Sequence, residues 1–252
     1  GAPRHLLELV LVVGAYFVYE IVGQFGISNV ETVAYENAFK IISFESAVGL
    51  FWEQRWQGWA LENAKAVIIF LNGVYTFGYW PIIFTTAIIL YIKDRPCYFY
   101  YRNIILVSFF LAMIVFASLP LAPPRFLPEY GFVNTIELFG PSIYGSRDMA
   151  PYYNLFAAMP SLHIGWTLLI GVCLFRRTKY IWLKAFGIMY PTMTFFAITL
   201  TGNHYIIDAL GGAGVIIAAY LLYEGIIRIK PRLSLGLASA KSAWQERRLP
   251  SR

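Results

Sequence analysis

The chain has 252 residues, of which 58% are hydrophobic, 18% aromatic and only 13% charged, with a formal net charge of +6 and a mean hydropathy of +0.58. A soluble domain carries about 25% charge and about 45–50% apolar residues, so this composition excludes an ordinary water-solvated domain and a disordered chain. The basic residues are divided among short loops and the C-terminal end rather than gathered in one patch, which argues for membrane orientation and against nucleic-acid binding. Cys97 and Cys173 support neither a disulfide framework nor a cysteine metal site.

A spanning helix needs about 20 mainly apolar residues. Six runs of that kind occur, at about Leu6 to Val22, Val67 to Ile92, Ile104 to Leu119, Ser161 to Phe175, Tyr180 to Leu200 and His204 to Ile227. They predict an all-α polytopic membrane helical bundle of about six transmembrane helices. The first run is long enough to span and lacks the small-residue cleavage site of a secretory leader.

Between the first two runs, residues from Thr32 to Trp59 interleave Glu36, Lys40, Glu45, Glu53 and Arg55 with Phe39, Ile42, Phe44, Val48, Phe51 and Trp52. The pattern reads as an amphipathic helix in the membrane interface, where Trp52, Trp56 and Trp59 suit the headgroup zone. A lid or brace packed on the other helices is the open alternative. Residues 120–160 form a long loop rich in Pro, Tyr and Gly, a candidate functional element. Residues 1–231 are expected to form a single membrane-embedded catalytic domain, and residues 232–252 a basic, frayed cytoplasmic tail able to touch anionic lipid.

With the N-terminus cytoplasmic, fifteen Lys and Arg fall in inside segments and five in outside segments, namely Lys40, Arg55, Lys65, Arg125 and Arg147. The positive-inside bias therefore predicts both termini in the cytoplasm. A short chain of this kind without a targeting segment fits a bacterial plasma membrane.

His163 and His204 both start predicted helices on the outer face, and ionisable groups at membrane depth mark function more often than they would in a soluble core. His204 and Asp208 stand four residues apart, on one helix face. A carboxylate on one ring nitrogen fixes the tautomer of imidazole, stabilises its cation and leaves the other nitrogen free to attack. A simple polar pair within a bundle is the other reading of that spacing. In Met159-Pro160-Ser161-Leu162-His163, proline opens a helix whose free N–H groups and dipole favour an anion such as phosphate, beside a proton-donating histidine. A capping or interfacial histidine is the alternative there.

Together, Pro160-Ser161-Leu162-His163 and His204-Tyr205-Ile206-Ile207-Asp208, about forty residues apart, resemble the motifs of the type 2 phosphatidic acid phosphatase superfamily, over roughly Ile104 to Ile227. The closer likeness is to its branch containing the fungal inositol phosphorylceramide synthases. The resemblance implies that His204 attacks phosphorus and becomes phosphohistidine, that Asp208 orients it, and that His163 protonates the leaving oxygen. The phosphatases' first motif, lysine, six residues, then Arg-Pro, is absent, since Lys93 and Arg95-Pro96 have the wrong spacing and lie on the cytoplasmic side. Ile198 replaces the phosphatases' arginine six residues before the nucleophile, and Leu162 replaces a glycine.

Phosphoryl transfer needs cations that spread transition-state charge. Arg125, in Ala122-Pro123-Pro124-Arg125, is the first candidate to supply one, and Arg147 in the same loop the second, each alternatively a partner of Glu129, Glu137, Asp148 or lipid headgroups. Ser161 and Asn203 complete the expected phosphate-binding set. The expected activity is a metal-independent lipid phosphotransferase that passes the phospho-group to an alcohol acceptor, with a lipid phosphate phosphatase as runner-up and a lipid-phosphate transporter or flippase as the reading from another class. No cofactor is implied. The partners are lipid phosphate and membrane lipids, not nucleic acid, and the oligomeric state is open.

Overall fold

A computed structural model describes residues 2–24, 29–140 and 154–246. Among them the chain is α-helical, with one isolated bridge between Leu121 and Ala157. Helix α1 (Ala2–Gln24) is followed by α2 (Val30–Ala47), α3 (Glu53–Asn63), α4 (Lys65–Gly73) and α5 (Tyr79–Lys93), the last two joined through a π-helical turn at Val74–Gly78. Next come α6 (Arg95–Ser118), the short α7 (Thr135–Phe139), α8 (Leu162–Arg177), α9 (Ile181–Leu200) and α10 (Ile206–Glu246).

Helices stand at all six apolar runs. Four helical stretches are long and apolar enough to cross a membrane: Lys65–Lys93, Arg95–Ser118, Ile181–Leu200 and Ile206–Ile229. The 16 residues of α8 rise about 24 Å, short of a hydrocarbon core of about 30 Å. The apolar stretch His5–Tyr19 of α1 is likewise shorter. Outward-facing Ile92, Ile114, Ile181, Trp182 and Leu221 are exposed, as side chains that meet lipid are. The last helix continues beyond Ile227, so the segment expected to fray is helical as far as Glu246.

The core joins α5, α6, α8, α9 and α10 through Tyr79, Ile104, Phe109, Trp166, Tyr190 and Ile216. Trp166 Nε1 donates to Ser108 Oγ at 3.1 Å, fastening α8 to α6. Small residues bring backbones together, as is usual where lipid removes the hydrophobic drive for helix association. A Cβ on Gly171 would stand 2.2 Å from the Gly187 carbonyl oxygen, so α8 and α9 touch through their main chains. At the cytoplasmic-side end expected from the sequence, Asp94 caps α6 by accepting from Cys97 N–H at 3.2 Å and pairs with Arg177 at the end of α8.

The segment read as one interfacial helix is two helices, α2 and α3, separated by a turn in which Gly49 has φ of +72°. They brace the end of the bundle at which α8 and α10 begin. Ala34, Ala38 and Ile42 pack against Leu121, Ala122, Leu127 and Phe132 of the long loop and against Tyr205. Glu45, Glu53 and Gln57 are fully buried there, so their side chains do not form a solvated face. Ala122 N–H donates to Ala34 O at 3.1 Å and Leu121 N–H to Phe156 O at 2.7 Å, which pins both described ends of the loop to this layer.

Candidate active site

His163 lies in the first turn of α8, whereas His204 lies in the turn between α9 and α10, two residues before the last helix begins. His204 therefore does not share a helix with Asp208, contrary to what the four-residue spacing predicts. The chain kinks first, and the contact survives because Asp208 folds back as the side chain that caps this helix start. Asp208 Oδ2 accepts from Tyr205 N–H at 3.0 Å and from His204 Nδ1 at 3.3 Å. With Nδ1 as donor, Nε2 of His204 keeps its lone pair. Its ring centroid is 5.7 Å from that of His163.

The turn carrying His204 is held from several sides. Gly202 has φ of +71°, a conformation a side chain rarely adopts, and a Cβ there would meet Gln57 Nε2 at 2.9 Å. Gln57 Nε2 donates to Leu200 O at 3.2 Å and to Val133 O at 3.1 Å, tying α3, the loop and the end of α9 together. Thr135 Oγ1 lies 3.1 Å from the Thr201 carbonyl oxygen and 3.0 Å from Asn72 Oδ1. Arg125 N–H donates to Gly202 O at 2.7 Å, and its Nη1 donates to Asn203 Oδ1.

Arg125 is thus brought beside the His204 turn, and it pairs with Asn203 rather than with an acidic residue among those described. Arg147 lies outside the described residues. Ser161 is the residue before α8; its N–H donates to Asp208 O at 3.0 Å, which joins the two histidine-bearing segments directly. Five of the expected residues, Arg125, Ser161, Asn203, His204 and Asp208, are buried together. Arg125 Nε, Ser161 Oγ and Asp208 Oδ1 are buried without hydrogen-bond partners. Unmet buried donors cost about 1–3 kcal/mol each, so a cation and a hydroxyl left open beside two imidazoles form a ready cradle for an anion.

Sequence reasoning missed the wall around His163. The ring stacks on Tyr75 at 4.7 Å between centroids and packs on Tyr79 at 4.3 Å, and Tyr79 Oη donates to Leu162 O at 3.1 Å. Tyr75 belongs to the π-helical turn, a distortion found often at functional sites. It also missed Gln57 and the Glu45 and Glu53 carboxyls, which reach the start of α10: Ile206 N–H donates to Glu53 Oε1 at 3.3 Å and Ile207 N–H to Glu45 Oε1 at 2.7 Å. Among the described residues no group of three His, Cys, Asp or Glu is placed to hold a metal ion.

Residues 39–222 match the family model of the PAP2 superfamily, and the chain belongs to that superfamily. No curated protein and no solved structure matches it. The match spans both histidine motifs and the brace from Phe39 onward. With its apolar helices, it defines an integral membrane enzyme of the phosphatase or phosphotransferase kind.

Proposed function

We propose that this enzyme takes a phospho-group from a lipid phosphate ester through a phosphohistidine at His204 and passes it to an alcohol, as the inositol phosphotransferase-like branch of the superfamily would. Nε2 of His204 forms the N–P bond as the P–O bond to the lipid alcohol breaks, and His163 gives that oxygen its proton. In the second half the acceptor hydroxyl returns a proton to His163 and attacks phosphorus, breaking the N–P bond. Asp208 holds the His204 tautomer and balances its growing positive charge. Arg125 spreads the charge of the phosphoryl oxygens, with Asn203 aligning its guanidinium and Ser161 Oγ offering a further donor. The scheme needs no metal, because Arg125 and His163 supply the charge and the proton.

The observation that carries the reading is the convergence of His204, held through Nδ1 by Asp208, with the His163 ring 5.7 Å away and the buried Arg125 beside the same turn. Transfer is favoured over hydrolysis by the brace, since α2 and the loop pack an apolar layer against Tyr205 that limits water. Residues 1–231 act as one catalytic unit, with the site on the extracytoplasmic face and both ends in the cytoplasm. The site lies at the start of α8 and the Asp94–Arg177 pair at its far end, in keeping with the inside bias of Lys and Arg. A bacterial plasma membrane is the proposed setting.

The test is product analysis. Purified protein in liposomes receives phosphate-labelled lipid with and without an alcohol-bearing acceptor. Label in a second lipid or sugar phosphate is expected, and label released only as inorganic phosphate would replace transfer by hydrolysis.

A further inference from the structure

Two carboxyls on different helices, Glu45 of α2 and Glu53 of α3, are fully buried and both reach the start of α10. Each accepts through Oε1 from a neighbouring amide in the first turn of α10, that of Ile207 and that of Ile206 respectively. The Oε2 of each is buried without a hydrogen-bond partner. Among the described residues neither has a Lys, Arg or His ion partner. Two buried carboxyls anchored on adjacent amides with no cation beside them cannot both ionise without a steep cost, so the arrangement favours a single proton between them.

We propose that Glu45 and Glu53 share one proton and serve as a positioning pair for His204, clamping the first turn of α10 to the brace. The proposal rests on the reading of His204 as the phosphate acceptor. Singly charged, the pair matches the two amides and the positive end of the α10 dipole. Doubly charged, it would face the Asp208 carboxylate and the Tyr205 phenol of the same turn, with Glu129 adding further negative charge. That repulsion would push the turn bearing His204 off the brace and oppose an arriving phosphate.

Burial, together with the neighbouring Glu53 and Asp208, pushes the Glu45 carboxyl up to about 9. A raised value means that the stability from the held proton is full below the ordinary value of 4.5 and is lost as pH rises to about 9. The shared proton, and with it the clamp, is present below about 9 and leaves above it.

The experiment uses the full chain in liposomes with wild type, Glu45→Gln, Glu45→Ala and the Glu45→Gln, Glu53→Gln double variant. Infrared titration should show the C=O stretch of a protonated carboxylic acid at neutral pH, absent from the double variant and lost from wild type at alkaline pH. Glutamine donates where the proton did, so Glu45→Gln should keep kcat within about threefold of wild type and remove the alkaline limb of the pH profile, whereas Glu45→Ala should lower kcat about tenfold with KM little changed. Deuterium exchange over residues 203–208 should quicken in Glu45→Ala alone. A missing carboxylic-acid band, an unchanged alkaline limb in Glu45→Gln, or exchange equal in all variants overturns the pair. Wild type without turnover on any lipid phosphate sinks the phosphohistidine reading instead, and the infrared and exchange results still judge the pair. Should Glu45→Ala not fold, the two glutamine variants decide.

Discussion

Ser161 and Gly212 meet backbone to backbone near the starts of α8 and α10: a Cβ on Gly212 would lie 2.1 Å from the Ser161 carbonyl oxygen. The separation of the two histidine-bearing segments is therefore set by main chain, without a side chain between them. Gly212→Ala should force the helices apart, at about 1–3 kcal/mol for overpacking. Because reacting groups tolerate little misplacement, kcat should fall by about 10²-fold. Thermal unfolding and kinetics of the purified variant check both, and a variant with wild-type kcat would show that this contact does not set the site.

His163 should act on the leaving oxygen alone. His163→Asn is expected to lower kcat by about 10²–10⁴ on a lipid phosphate ester, the usual range for a general acid. With an aryl phosphate, whose leaving group needs no proton, most of that loss should vanish. Equal loss on both substrates would assign His163 to phosphate binding.

Arg125 should be needed as a guanidinium rather than as a mere positive charge. Its Nη1 is oriented by Asn203 and its Nε is open. Arg125→Ala should cost about 10²–10³ in kcat. Arg125→Lys should recover only a small part, since an ammonium offers no fork. Steady-state kinetics of both variants, each at a temperature where it is folded, give the comparison.

Asp94 supplies a pH-dependent fastening at the other end of the bundle. The Arg177 guanidinium, and then the Cys97 amide, hold its carboxyl below the ordinary 3.8. A depressed value contributes stability above 3.8 that is lost as pH falls through the lower folded value. Wild type should unfold at a higher temperature than Asp94→Asn at neutral pH, with the gap closing only in strong acid and shrinking in high salt. Thermal scans across pH and salt check this; since Asn caps a helix as well as Asp does, little or no gap at neutral pH would show that capping alone matters.

The helix positions and the pairing of His163 with His204 were legible because each depends on short-range pattern: apolar runs bounded by charge, and motifs of four or five residues. Arg125 was reachable by asking what stands in for missing cations. The brace was not legible as such. Glu45 and Glu53 among apolar neighbours give the same alternation whether the charged face meets water or the core, and their partners lie 162 and 153 residues away. Gly49, inside an otherwise helical pattern, was the one local signal for the break between α2 and α3. Tyr75 and Tyr79 look like ordinary residues of an apolar helix, and only folding sets them against His163.

The central claim is a covalent bond between His204 and phosphorus. Wild type and His204→Ala are mixed with phosphate-labelled lipid, quenched rapidly in alkali, where phosphohistidine survives, and digested for peptide mapping. Acid-labile label on the peptide carrying His204 in wild type alone is the result expected. Turnover of the lipid with no label trapped on His204, or undiminished turnover in His204→Ala, would contradict it.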